Sequence, residues 1–228
     1  MRKPAPRSGS VNFRHEESYK NKTMKTNYLI LSARGLSNIF APHYLPVIGM
    51  IILFLFSYLG MFPWAYKGII LGMTYVFTVI LPSILFHLYR RYQGWSIMHL
   101  FSQEGRMIPY VISIACYFSC FYLMNYLHVP HIISSIIVAA LFIQIICAIV
   151  NVWFKISTHT AAIGGISGAL LAFSHIFSFN PLWWFSVLMV IAGMLGTARM
   201  VLRVHSLHQV VYGYLVGLVT AFAVVIMI

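Results

Sequence analysis

Long apolar stretches separated by short polar links fill the sequence from about residue 45 onward. Seven of them are long enough to cross roughly 30 Å of hydrocarbon as helices. They lie at residues 45–62, 68–89, 108–127, 131–153, 159–178, 180–197 and 206–228. The pattern therefore predicts an all-α, polytopic transmembrane helix bundle of six to seven spans.

The links between these stretches differ in length. Leu127 to Pro130 and Ser178 to Pro181 are short, which predicts antiparallel hairpins of neighbouring spans. The connection from Arg90 to Met107 is long, and we expect an interfacial helix around residues 95–101. Residues 38–46 mix aromatic, proline and histidine side chains, which favours a position at the membrane interface.

Small residues recur four positions apart in three of the predicted spans. This spacing lets helix backbones approach closely, as packing within a lipid bilayer requires. The pairs are Gly164 with Gly168, Ala192 with Gly196, and Gly213 with Gly217. We interpret these residues as packing positions.

Composition agrees with a membrane protein and excludes several chemistries. Of the 228 residues, 61% are hydrophobic and 8% are charged, whereas a soluble domain has about 25% charged residues. The acidic residues are Glu16, Glu17 and Glu104, and there is no Asp. Carboxylate-clustered metal sites, Asp nucleophiles and paired-carboxylate glycosidases are therefore excluded. The three cysteines lie in apolar runs, where a thiol is usually a small buried hydrophobe.

Positive charge is concentrated at the N-terminus. Eight of the fifteen Lys and Arg residues lie in the first 34 positions. We expect residues 1–34 to be a basic arm without fixed structure and residues 35–228 to be the membrane domain. The arm either sets topology or binds anionic lipid headgroups. The net charge of +12 thus points to the bilayer and not to nucleic acid. Together, the apolar stretches and the basic N-terminus predict a multi-pass inner-membrane protein with a cytoplasmic N-terminus.

Two polar clusters lie at predicted helix ends in the last third of the chain. The first is residues 155–159, and the second runs from Arg199 to Gln209. A hairpin of two spans separates them, so both clusters lie on the same face of the membrane. Cations, histidines and free helix N–H groups form a site for a multiply charged anion such as phosphate. One histidine can attack phosphorus while another protonates the leaving oxygen, and neither metal nor cofactor is required.

His205 and Gln209 are four residues apart and hence on one face of a helix. The Gln209 carbonyl can accept the proton on one ring nitrogen of His205, which leaves the other nitrogen free to attack. This is the orientation that a nucleophilic imidazole needs.

The stretch from Ala198 to Gly213 resembles the third signature, S-R-x5-H-x3-D, of the type 2 phosphatidic acid phosphatase family. Residues 156–159, Ile-Ser-Thr-His, resemble its second signature, P-S-G-H. The order and separation of the two signatures also match. Gln209 stands at the Asp position, as it does in the membrane relatives glucose 6-phosphatase and dolichyl diphosphatase.

The resemblance implies a role for each matching residue. His205 would form the phosphohistidine, with Gln209 orienting it, and His159 would be the general acid. Arg199, Ser157, Thr158 and nearby N–H groups would bind phosphate. The first signature, K-x6-R-P, has no intact counterpart. Lys155 could supply its lysine and Arg106 its arginine.

We therefore predict a metal-independent membrane hydrolase that acts on a lipid phosphomonoester or diphosphate. The alternatives are a lipid phosphotransferase and a non-catalytic membrane scaffold or lipid-binding protein. Charge counting places the site on the cytoplasmic face, whereas the resemblance favours the periplasmic face for a bacterial member. The sequence leaves this choice open.

Overall fold

The structure, a computed structural model, describes residues 28, 30–56, 58–93 and 103–228. The interfacial helix expected at 95–101 and most of the basic arm lie outside these residues. All regular structure in the described part is helical. Residues 30–39 form α1. The helices that follow are α2 (Leu45–Phe56), α3 (Trp64–Tyr75), α4 (Leu81–Gln93), α5 (Gln103–Tyr126), α6 (His131–Trp153), α7 (Thr158–Phe177), α8 (Leu182–Val201) and α9 (Leu207–Met227).

Six of the described helical segments are long and apolar enough to cross a membrane. They are Trp64–Tyr92, Met107–Tyr126, His131–Trp153, Thr158–Phe177, Leu182–Val201 and Leu207–Met227. In the first, the π-helical segment Val76–Ile80 joins α3 to α4. The predicted all-α polytopic bundle is confirmed.

The N-terminal part differs from the prediction in two places. The run at 45–62 does not form one spanning helix, because α2 has 12 residues and a separate 3₁₀ turn lies at Tyr58–Met61. Twelve residues rise about 18 Å, well short of the hydrocarbon thickness. Residues 30–34, which we assigned to the arm, belong to α1. This apolar stretch therefore contains no single helix of spanning length.

Both short links form hairpins as predicted. α5 ends at Tyr126 and α6 begins at His131, and the two helices pack together. α7 ends at Phe177, and Ser178 adopts the left-handed conformation (φ 53°) before α8 begins at Leu182. Consequently α7 and α9 begin at the end of the bundle where α6 and α8 finish.

Glycines hold α7 and α9 in close contact. A Cβ at Gly164 or Gly168 would collide with the α9 backbone, and one at Gly217 would collide with the α7 backbone. A Cβ at Gly213 would lie 2.6 Å from the Ser157 carbonyl oxygen, at the start of α7. The packing role predicted for these glycines is confirmed, and it fixes the two helix N-termini side by side.

Candidate active site

The two polar clusters meet in space through hydrogen bonds between their loops. The backbone N–H of Ser157 donates to the carbonyl of Gln209 over 3.3 Å. The Lys155 ammonium donates to the carbonyl of Val204 over 2.8 Å. The α6–α7 loop is therefore fixed to the α8–α9 loop, although the two are about fifty residues apart.

His205 and Gln209 form the hydrogen bond expected from their spacing. Nδ1 of His205 lies 3.2 Å from Oε1 of Gln209, and the backbone N–H of Ser206 donates to the same oxygen over 3.1 Å. Ser206 and Gln209 also form a capping box at the start of α9. Because a carbonyl oxygen only accepts, Nδ1 of His205 carries the proton. Nε2 is left with a free lone pair.

The surroundings of His205 keep its imidazole neutral. Burial and then the charge of Arg199 lower its pKa from 6.5 to about 4, and the charge of Lys155 acts in the same direction. The hydrogen bond to Gln209 opposes this shift because it favours the protonated ring. At neutral pH the neutral form of the imidazole therefore predominates.

Two residues from other helices interact with His205. Arg199 lies in the last turn of α8, and His159 lies at the start of α7. Arg199 and His205 both act electrostatically on His159, which lies in the first turn of α7. Nε of Arg199 and Nδ1 of His159 are buried, and neither has a hydrogen-bond partner in the described part of the chain. Buried polar atoms normally have partners, so two unpartnered nitrogens on residues that interact electrostatically with each other indicate the place of a polar ligand.

Two residues that sequence reasoning missed complete this cluster. Nη1 of Arg199 donates to Oγ of Ser37 over 2.9 Å. The backbone of Ser37 also forms a hydrogen bond with the His159 ring. His43 lies close enough to His159 to act on it electrostatically, and burial lowers the pKa of His43. Ser37 is 162 residues before Arg199, and no motif spacing connects them. The available signal was a histidine among the mostly apolar residues 38–46.

The surroundings of the remaining predicted site residues differ from one residue to the next. These residues are Lys155, Ser157, Thr158 and Arg106. Lys155 lies close enough to His205 for its positive charge to lower the pKa of the imidazole. Ser157 is fully buried, and its hydroxyl caps α7 by accepting from the N–H of Thr160 over 3.5 Å. Ser157 thus shapes the site through the helix start. Thr158, between Ser157 and His159, lines a largely apolar cavity between α2, α6 and α7. The Arg106 side chain lies outside the described residues.

The site is electropositive. None of the described side chains is a carboxylate, since the acids are Glu16, Glu17 and Glu104. Within the described residues, no group of three or more His, Cys, Asp or Glu could hold a metal ion. The N-termini of α7 and α9 add their partial positive charge to those of Arg199 and Lys155. The arrangement is suited to an oxyanion placed between two histidines.

Comparison with known proteins provides no relative. No protein-family model, no curated protein and no solved structure matches the chain. The chemistry of the site is therefore the basis for a functional assignment.

Proposed function

We propose that this chain is an integral membrane phosphatase that cleaves a lipid phosphomonoester or diphosphate through a phosphohistidine intermediate. The observation that carries the proposal is a cluster of three residues that interact electrostatically with one another, His205, Arg199 and His159. Nε2 of His205 has a free lone pair, and Arg199 and His159 each have a buried nitrogen without a partner among the described residues. The resemblance to the type 2 phosphatidic acid phosphatase signatures supports the same roles.

In the first step, Nε2 of His205 forms a bond to phosphorus as the bond from phosphorus to the leaving oxygen breaks. Arg199, Lys155 and helix N–H groups neutralise the phosphoryl oxygens. His159, protonated once the anionic substrate is bound, gives its proton to the leaving oxygen. Gln209 accepts from Nδ1 and fixes the ring that becomes positively charged.

In the second step, water attacks the phosphohistidine. His159 takes a proton from the water, the P–N bond breaks, and inorganic phosphate leaves. If an alcohol replaces water in this step, the product is a new phosphate ester, which is the phosphotransferase alternative.

An apolar groove beside the site supports a lipid as the substrate. It has a volume of about 260 Å³ and lies between α2, α7 and α8. All its lining residues are apolar, from Phe40 and Leu45 near the site to Leu55 and Trp184 toward the other end of the bundle. Phe40 is three residues after Ser37, so the groove begins where the phosphate would lie. We assign it to one hydrocarbon chain of the substrate.

The test is phosphate release from a panel of lipid phosphates by the purified protein, with and without a chelator. We expect chelator-resistant release and an acid-labile phosphoprotein when ³²P-labelled substrate is quenched. The His205→Ala variant should lose both signals. His208→Ala is the matched control, since His208 is an exposed histidine three residues away.

Two results would contradict the proposal. One is release of phosphate by His205→Ala at the wild-type rate on every lipid. The other is loss of activity with the chelator that returns with added metal. Addition of acceptor alcohols during turnover distinguishes hydrolase from transferase, because only a transferase forms a new ester in proportion to the alcohol.

A further inference from the structure

A second polar cleft lies beside the candidate active site, and the proposed mechanism does not use it. It has a volume of about 280 Å³ and lies between the end of α4 and the start of α5. Its polar lining comes from His43, Ser83, His87, Arg90 and Ser113. Since a water molecule occupies about 30 Å³, the cleft has room for a polar group of the size of a phosphate.

The charge of this cleft is positive. His87 and Arg90 are three residues apart and therefore lie on one face of α4. Arg90 is half-buried, and no carboxylate is found among the described side chains that line the cleft. A half-buried guanidinium beside an imidazole favours an anion, which a guanidinium can bind through two parallel hydrogen bonds.

His43 connects the cleft with the candidate active site. It lines the cleft and also acts electrostatically on His159. Its Nδ1 is buried and has no hydrogen-bond partner in the described part of the chain. A ligand that extends from the active site into the cleft would pass His43 and could satisfy this nitrogen.

We infer that the cleft is a second anion subsite, in which Arg90 and His87 bind a phosphate-type group beside the phosphate that is cleaved. This inference rests on the proposed function. It narrows the substrate to lipids with two anionic groups, such as a diphosphate or a phosphomonoester joined to a phosphodiester. The same chemistry could be supplied by the headgroup of a neighbouring anionic lipid.

The experiment compares substrates with identical acyl chains in zwitterionic detergent–lipid micelles. Phosphatidic acid has one phosphate group, diacylglycerol diphosphate has two adjacent groups, and phosphatidylglycerol phosphate has two that are separated by glycerol. KM is measured for the wild type, Arg90→Gln, His87→Gln and Arg91→Gln. Arg91 is the matched control because it is an exposed arginine next to Arg90 and does not line the cleft.

We expect the wild type to have a lower KM for at least one two-anion lipid than for phosphatidic acid. Arg90→Gln should raise that KM about tenfold more than the KM for phosphatidic acid, and His87→Gln should act in the same direction. Arg91→Gln should leave the ratio of the two KM values at the wild-type level. Activation of phosphatidic acid cleavage by added phosphatidylglycerol, if lost in Arg90→Gln, would identify a neighbouring lipid as the source of the second anion.

Equal KM ratios in Arg90→Gln and Arg91→Gln, with no such lipid activation, would overturn the subsite. Phosphohistidine trapping on the wild type separates this failure from that of the proposed function. If the intermediate forms and the ratios are equal, only the subsite is wrong. If no intermediate forms on any lipid, the proposed function itself fails.

Discussion

At the scale of single residues, the site has Gln209 where the signature that it resembles has an aspartate. Its carbonyl oxygen fixes the tautomer of His205 as a carboxylate would, but it carries no negative charge to stabilise the imidazolium. Burial and the charge of Arg199 therefore determine the pKa of His205 with little opposition. The consequence is an imidazole that stays neutral down to a lower pH than a free histidine does.

We predict that a ¹³C NMR titration of His205 will give a pKa near 4 in the wild type. Gln209→Glu should raise it, because the carboxylate still accepts from Nδ1 and favours the charged ring. As the pH falls from 6.5 toward 4, the unfolded chain takes up a proton before the folded one, so stability should decrease over this range. A measured pKa of about 6.5 for His205 in the wild type would show that burial and the charge of Arg199 do not affect the imidazole.

Ser37 is a positioning residue for Arg199. Hydrogen bonds to charged groups contribute about 1.5–3 kcal/mol, so Ser37→Ala should raise KM about tenfold with a smaller effect on kcat. Ser37→Thr, which keeps the hydroxyl, should restore KM. The control is Asn38→Ala, at the exposed neighbouring residue. An equal KM in all three variants would show that Arg199 is held without Ser37.

At the scale of helices, the close contact of α7 and α9 is what brings the two polar loops together. α9 can approach the start of α7 only because residue 213 has no side chain. The hydrogen bond between Ser157 and Gln209 depends on this approach. Packing of the membrane domain and geometry of the site are therefore coupled through one glycine.

Gly213→Ala tests this coupling. Its Cβ would lie 2.5 Å from Oγ1 of Thr160, and overpacking of this kind costs about 1–3 kcal/mol. We expect a lower melting temperature in detergent and a loss of phosphate release. Gly193→Ala in α8 is the control, because a Cβ there meets no atom within 4 Å. Wild-type activity in Gly213→Ala would mean that the loops do not require this contact.

At the scale of the whole molecule, charge counting predicts that the site faces the cytoplasm, whereas the family resemblance favours the opposite face. Cysteine labelling at Ser206 and Ser178, two exposed positions at opposite ends of the bundle, tests this. Cys116, Cys120 and Cys147 are buried, so they give little background. A membrane-impermeant reagent applied from outside should label Ser178→Cys and spare Ser206→Cys. The reverse pattern would place the site on the outer face.

The sequence by itself predicted the six helices of spanning length and named the candidate site residues in the last third of the chain. Runs of apolar side chains must form helices in lipid, because no water is present there to satisfy their backbone groups. The spacing of His205 and Gln209 likewise placed them on one helical face, since this relation is local. Short hairpin links were equally local and were predicted correctly.

Only the tertiary structure decided what joins the site from distant parts of the chain. Arg199 forms a hydrogen bond with Ser37, and His43 lies close enough to His159 to act on it electrostatically, although both pairs are far apart in the sequence. A side chain's partners across the bundle depend on how helices rotate and approach, and no local pattern in the sequence records that.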